Sequence, residues 1–286
     1  MISIIILSYN SEKYIQKLLD SLLEKYKESI KSKEIEIIVA DNESSDKTVS
    51  IAKTFHSFVS VVSNGGNVGF AHGNNSAVKT AKGTHILFLN PDSEFIGGDI
   101  PKMLAHLDKP KIGAVGGRIF NYNGLTELSC GKFYNFFNIL LLCFGLEEKC
   151  GVRFSPSKSN YVDYISGGFM GIKKEVFIEN GGFDEHYFMY VEDQDLCYRL
   201  KKKGLKTYFS TDAEIKHIGQ GSSNRAFAVI NIYKGLSYFQ KKHMGSISYY
   251  LSMYTLKAKA VVLILIGRII HNSYLTNTYE KALESI

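Results

Sequence analysis

Four short apolar runs open the chain, and each ends in a polar cluster. Residues 2–8, rich in isoleucine, stop at Tyr9-Asn10-Ser11, where Asn10 or Ser11 is expected to cap a helix over residues 12–25. Ile35 to Ala40 leads into Asp41-Asn42-Glu43-Ser44-Ser45-Asp46, ahead of a helix over 47–55. Ser57 to Ser63 leads into Asn64-Gly65-Gly66-Asn67-Val68-Gly69, ahead of a helix ending at Ala81, and His85 to Leu89 leads into Asn90-Pro91-Asp92. Apolar runs alternating with helical periodicity predict right-handed crossovers and a mostly parallel sheet. The polar clusters then fall at the C-terminal ends of the strands, the edge where open α/β sheets bind their ligands.

Further along, the alternation loosens. Ile112 to Phe120 and Tyr161 to Ile165 read as strands, Gly167-Gly168 precedes a short element over 169–173, and a helix is expected over 174–180. Phe133 to Leu146 carries no charge but falls short of the roughly 20 residues a membrane span needs, which leaves a core helix or an interfacial segment. Helical spacing runs from Glu192 to Gly204, a natural stop. After His217 the chain turns aromatic and basic, with helices expected over Phe227 to Lys242 and Tyr249 to Ile270; the most apolar piece, Ala260 to Gly267, is also too short to span.

At 286 residues and 45% hydrophobic content the chain can bury a sizeable core. Its net charge of +6 is unevenly placed: residues 199–286 carry 14 basic and 4 acidic side chains, against 20 and 24 in residues 1–198. Such asymmetry points to a polyanionic partner, nucleic acid or an anionic membrane surface. Cys130, Cys143, Cys150 and Cys197 show neither a C-x-x-C pair nor zinc spacing, which fits a reducing cytoplasm. The run after Met1 lacks a basic leader and a cleavage site and reads as a strand.

Glu192, Asp193 and Asp195 place three carboxylates within four residues. Like charges raise one another's cost of ionisation, so such a cluster fits a cation or a proton-transfer task; it also fits the first turn of a helix, where the dipole favours acids.

Seven motifs in order resemble those of a family 2 glycosyltransferase. They are Ser3-Ile-Ile-Ile-Leu-Ser-Tyr-Asn10, Val39-Ala-Asp-Asn-Glu-Ser-Ser-Asp46, Asn67-Val-Gly-Phe70, Leu89-Asn-Pro-Asp92, Ser166-Gly-Gly-Phe-Met170, Gly181-Gly-Phe-Asp184, and Glu192-Asp193 closing at His217. The subgroup they resemble is the rhamnosyltransferase-like enzymes of bacterial surface polysaccharide synthesis. The resemblance implies an α/β fold of GT-A type with a mostly parallel central sheet over residues 1–223, followed by a basic, aromatic helical extension over 224–286.

It also implies roles. Ser8, Tyr9, Asn10, Asp41, Asn42, Asn67, Gly69, Phe70, Asn90 and Asp92 would bind the nucleotide sugar, with Asp41 accepting the N3–H of a uracil or thymine and Tyr9 packing on the nucleoside. The Gly65-Gly66 turn ahead of Asn67 lets backbone approach a ligand closely, and the pattern is not the dinucleotide G-x-G-x-x-G. The family's Asp-x-Asp metal motif appears as Asn90-Pro91-Asp92, with Glu94 close by, so Asp92 and His217 are the implied ligands of Mn2+ or Mg2+. Asp193 is similar to the family's base, and Gly167, Gly168 and Glu192 stand on the acceptor side. Glu192 and Asp195 are expected on another helix face, with Asp195 paired to Arg199 four residues on.

Expected function is a metal-dependent inverting glycosyltransferase. Its donor is a dTDP- or UDP-sugar, rhamnose among them, and its acceptor a saccharide or lipid-linked saccharide. A processive synthase would carry Gln-x-x-Arg-Trp and several spans, and the chain has no Trp. A nucleotidyltransferase would open with a glycine-rich loop containing Arg, unlike Ser8-Tyr9-Asn10. The alternative from another class is a catalytically inactive, nucleotide-sugar-binding scaffold. A nucleic-acid partner, suggested by the basic tail alone, is not expected. The expected location is cytoplasmic, peripheral at the inner membrane face, with residues 225–270 and Tyr233, Tyr238, Phe239, Tyr249, Tyr250 and Tyr254 meeting anionic lipid; a homodimer interface or a helical cap on the sheet is the other use of those faces.

Overall fold

The computed structural model describes residues 1–218 and 225–286. The isoleucine-rich strand β1 (Ile2–Ser8) pairs in parallel with β2 (Ile35–Asp41) and β4 (His85–Leu89), and β2 with β3 (Val59–Ser63). Register sets Ser8 beside Asp41 and Asp41 beside Ser63, so the polar strand ends form one row. Near-continuous apolar runs follow from burial on both faces: Ile4 and Ile6 join one core cluster and Ile5 the other.

Helices α1 (Ile15–Lys31), α2 (Thr48–Thr54) and α3 (Gly69–Thr80) supply the crossovers. Neither Asn10 nor Ser11 caps α1 with its side chain, contrary to expectation. Asn10 takes a left-handed conformation (φ 48°), which Asn tolerates, and its Oδ1 accepts from Ser45 N–H at 2.9 Å. The first turn is closed instead by Ser11 carbonyl, which accepts from the N–H groups of Tyr14 and Ile15.

Beyond β4 come β5 (Ser93–Gly98), α4 (Ile100–Leu104) and β6 (Ile112–Phe120). A small sheet is built from β7 (Cys130–Gly131), β8 (Arg153–Phe154) and β10 (Tyr164–Ile165), with α5 (Phe136–Cys143) inserted and β9 (Asn160–Val162) diverted to the main sheet. The strand expected over Tyr161 to Ile165 is thus two strands in different sheets, a division that side-chain alternation does not encode. Then follow β11 (Phe169–Lys173), α6 (Lys174–Glu179), α7 (Glu192–Lys202) and β12 (Lys206–His217). The main sheet runs β3-β2-β1-β4-β11-β6-β12-β5, with β9 also paired to β12; β11, β5 and β9 oppose the other six, so it is mostly parallel.

The C-terminal region is helical: α8 (Arg225–His243), α9 (Ser246–Ile269) and α10 (Ser273–Glu284), the last not anticipated. The boundary expected between 223 and 224 lies outside the described residues. α8 belongs to the core, with Leu236 and Phe239 fully buried in the cluster that holds Phe88 and Phe183. Tyr233 and Phe239 therefore face inward, and of the aromatics expected at a surface only Tyr250 and Tyr254 are largely exposed. α9 also corrects the length argument. It spans 24 residues with a mean hydropathy of 1.4 over its most apolar window, long and apolar enough to cross a membrane by length and composition, with 33% of that window buried. The helix runs through Lys257 and Lys259, which bound the apolar run in sequence but do not end it.

Candidate active site

A cavity of about 1010 Å³ opens at the C-terminal edge of the sheet. The turn after β4 brings Asn90 and Asp92, the end of β12 brings His217, the turn before β11 brings Gly167 and Gly168, and the first turn of α7 brings Glu192 and Asp193. Residues separated by more than a hundred positions thus meet because the sheet places β4, β11 and β12 close together. A Cβ on Gly168 would stand 2.7 Å from Asn90 Nδ2, so glycine lets the β11 turn close against the β4 turn.

A smaller cleft of about 250 Å³ joins it, sharing Phe70, Asn90, Asp92 and Met189. Ser8, Tyr9, Asn42, Asn67 and Gly69 line the rest of its expected wall. Of the ten nucleotide-binding positions expected, Asn10 and Asp41 line neither space. Asp41 is buried behind the wall, where its carboxylate accepts from the Ser8 hydroxyl at 2.9 Å and from Ser44 N–H and hydroxyl at 2.8 and 2.6 Å.

His217 stands between two carboxylates, its Nε2 3.2 Å from Asp92 Oδ1 and its Nδ1 3.0 Å from Glu127 Oε2. Burial lowers the imidazole pKa, but hydrogen bonds to Asp92 and Glu127 outweigh it and push it up to about 10. No three His, Cys, Asp or Glu side chains among the described residues form a metal-sized group. The donor chemistry nevertheless suits a divalent cation that displaces the Nε2 proton: Glu127 orients the ring from Nδ1, as an outer carboxylate does for a ligating histidine, and leaves Nε2 facing Asp92. Glu94 turns away to pair with Lys17 at 2.8 Å.

Asp193 Oδ2 accepts from Gly167 N–H at 3.0 Å, and Oδ1 from Gln194 N–H at 2.7 Å. Burial raises its pKa, against those N–H groups and Arg153, which lower it. Glu192 lines the cavity with Gly167 and Gly168, on the side expected for the acceptor, but shares that wall with Asp193 where another helix face was expected; one oxygen is buried without a hydrogen-bond partner, and burial and the Asp193 charge push its pKa well up. Glu192 therefore holds its proton more readily than Asp193, which accepts from the N–H groups of Gly167 and Gln194. Asp195 points away as expected and pairs with Arg199 at 2.6 Å.

Glu127, Arg153 and Arg225 also line the cavity and were not singled out in the sequence. No motif marks them; Glu127 reaches His217 across 90 residues of chain.

The sheet order and this two-part cavity define a GT-A glycosyltransferase fold. The chain belongs to glycosyl transferase family 2, whose family model matches residues 3–181; a second, described as the N-terminal domain of galactosyltransferase, matches 149–220. Rhamnosyltransferase WbbL of Escherichia coli K12 is 29% identical over 237 residues, covering 79% of this chain and 86% of the relative. The N-acetylglucosaminyl-diphospho-decaprenol L-rhamnosyltransferase of Mycobacterium tuberculosis is 26% identical over 217 residues, 67% of this chain and 69% of that one. Among solved structures, a Pyrobaculum calidifontis mannosyltransferase in complex with GDP-Man and Mn2+ aligns with a TM-score of 0.59 at 17% identity, over 99% of this chain and 85% of that chain. GalNAc-T7 with UDP, GalNAc and Mn2+ aligns with a TM-score of 0.61 at 16% identity, over 89% of this chain and 54% of that chain. The protein is a glycosyltransferase.

Proposed function

We propose that the protein is a metal-dependent inverting glycosyltransferase that moves rhamnose from a dTDP- or UDP-linked donor to a lipid-linked saccharide. One observation carries the reading: Asp92 lines both the cleft and the cavity, whereas Asp193 lines the cavity alone. The base thus stands beyond the diphosphate position, on the side from which an acceptor hydroxyl attacks.

In this reading Tyr9, Asn42 and Asn67 wall the nucleoside position, and Asp41 shapes it by fixing Ser8 and Ser44. Asp92 and His217 would hold Mn2+ or Mg2+, and the cation would supply Lewis-acid stabilisation of the leaving group. Asp193 takes the acceptor proton as the oxygen reaches the anomeric carbon. Glu192, which holds its proton more readily, leaves Asp193 as the group that accepts. A rhamnose donor and lipid-linked acceptor are supported by the names of the relatives above. Nucleotide release from dTDP-rhamnose, UDP-glucose and GDP-mannose, with and without Mn2+, tests the reading: metal-dependent release from a dTDP- or UDP-sugar is expected. Release from none of them, in the presence of a lipid-linked saccharide acceptor, would favour the inactive scaffold.

A peripheral position at the inner membrane face is part of the proposal. Its support is the outward side of α9, where Ile247, Tyr254 (73% exposed) and Ile269 (76% exposed) lie open, and the helix's charges, Lys257, Lys259 and Arg268, are all basic. Exposed Phe137 on α5, and Phe144 just past its end, lie beside it, since α5 packs on α9. Basic side chains and apolar faces together suit anionic lipid.

A further inference from the structure

Three ties run from α8 to the turn that presents Glu192 and Asp193. The first is electrostatic. Asp195 is completely buried, and its Oδ1 lies 2.7 Å from Lys242 Nζ and 2.6 Å from His243 Nε2, both in the last turn of α8. Its Oδ2 accepts from Arg199, which also donates to the carbonyls of Asn180 and Gly182. The second tie is a chain of buried hydrogen bonds. Gln194 Oε1 accepts from Tyr134 N–H at 3.0 Å, the Tyr134 carbonyl accepts from Gln240 Nε2 on α8, and Gln240 Oε1 accepts from the Ser252 hydroxyl on α9 at 3.2 Å.

The third tie is steric. Tyr190 and Val191 are both left-handed, with φ of 70° and 74°, a conformation unusual for any side-chain-bearing residue and an outlier for a β-branched one. Strain of this kind persists only where the surroundings over-determine it. Here the turn lies against Gly235 in mid-helix: a Cβ at that position would stand 2.9 Å from Val191 Cγ2 and 3.1 Å from the Tyr190 carbonyl oxygen. The same loop meets the donor cleft through Phe188, whose carbonyl accepts from Phe70 N–H at 2.6 Å.

We infer that α8 is a positioning element of the transfer reaction, in which Gly235, Lys242 and His243 hold the strained 190–191 turn and α7 so that Asp193 faces the acceptor side of the cavity. This rests on the reading of Asp193 as the base. None of the three residues lines the cavity, so they act through Asp193 and not on the substrate. The helical extension is then part of the catalytic unit and not an appendage to it.

Gly235→Ala gives a test with opposite signs for the two roles. Alanine is the better helix former, so a glycine that served only the helix would be replaced with a gain in Tm and unchanged turnover. Positioning predicts that kcat for dTDP release from dTDP-rhamnose, with Mn2+ and a lipid-linked acceptor, falls about tenfold or more, in keeping with the cost of small misplacements of reacting groups. Donor KM should stay within about twofold, since Gly235, Lys242 and His243 line neither the cleft nor the cavity. Lys242→Met should lower kcat in the same way and Lys242→Arg should restore it. Hydrogen exchange across residues 184–195, read without substrate, should quicken in Gly235→Ala and Lys242→Met while the strands of the sheet keep their protection. Wild-type kcat with wild-type exchange overturns the inference, as does a loss of kcat matched by a rise in donor KM and faster exchange throughout the chain. If Gly235→Ala does not fold, Lys242→Met decides by the same readouts. Asp193→Asn run alongside separates the two readings: if it keeps turnover, the base assignment fails, and if it loses turnover while Gly235→Ala keeps it, the positioning role fails.

Discussion

Gly167 donates its backbone N–H to Asp193 Oδ2 across 3.0 Å, joining the turn before β11 to the first turn of α7. That bond aims the carboxylate and stabilises its charged form against the burial that raises its pKa. Asp193→Asn is expected to keep donor and metal affinity while turnover falls on the order of a hundredfold or more. Because the folded-state pKa is raised, wild-type activity should be lost as pH falls through a value above the usual carboxylate range. A pH profile of kcat/KM checks this; an acid limb at or below the ordinary aspartate value would count against Asp193.

Asp92→Ala removes the one carboxylate common to the cleft and the cavity and leaves His217 without its Nε2 partner. Calorimetry with dTDP or UDP should show that Mn2+ no longer strengthens nucleotide binding. Glu94→Ala, which breaks only the half-exposed pair with Lys17, should leave that enhancement intact. Equal losses in both variants would mean that the ligand set is wrong.

Asp41→Ala strips three hydrogen bonds from the wall behind the nucleoside position. Leaving buried Ser8 unpaired costs about 1–3 kcal/mol of stability. All nucleotide ligands should weaken by a similar factor, whatever sugar they carry. An unchanged Kd for the free nucleoside diphosphate would remove Asp41 from the donor site.

Burial opposes ionisation of Asp195, yet His243, Arg199 and Lys242 hold its carboxyl below the usual range. Asp184, also paired with Lys242, is held low as well. A depressed folded-state pKa gives stability that is complete above the unfolded value and disappears as pH falls through the folded one. Lys242→Met should therefore lower stability by about 1–3 kcal/mol near neutral pH. The gap to wild type should close in strong acid. Thermal unfolding from pH 7 to pH 2 measures it, and a gap independent of pH would refute the electrostatic account.

Val262 and Leu265 lie open on the outer side of α9. Replacing both by Glu should abolish flotation with anionic vesicles at low salt while Tm is unchanged. If the wild-type chain does not float but sediments as a dimer that the double variant breaks, the face is an interface between copies and the membrane reading goes.

The order of strands and helices through β4 was readable in the residues, because apolar runs of strand length and turn-forming clusters are local signals. So was the placing of Asp92 at a strand end and of Asp193 at a helix start, and the Asp195–Arg199 pair, which follows from one helical turn. What the sequence could not reveal lies across the fold. Asp41 turned out to face Ser8 and Ser44, and Glu127 to orient His217, because register and sheet order decide which side chains meet. From its charge and aromatics α8 read as a membrane-facing element, an interface or a cap on the sheet, and nothing local showed that its Gly235, Gln240 and Lys242 back the catalytic turn. Periodicity tells a chain which face of a helix to bury; only the packed core decides what that face is buried against.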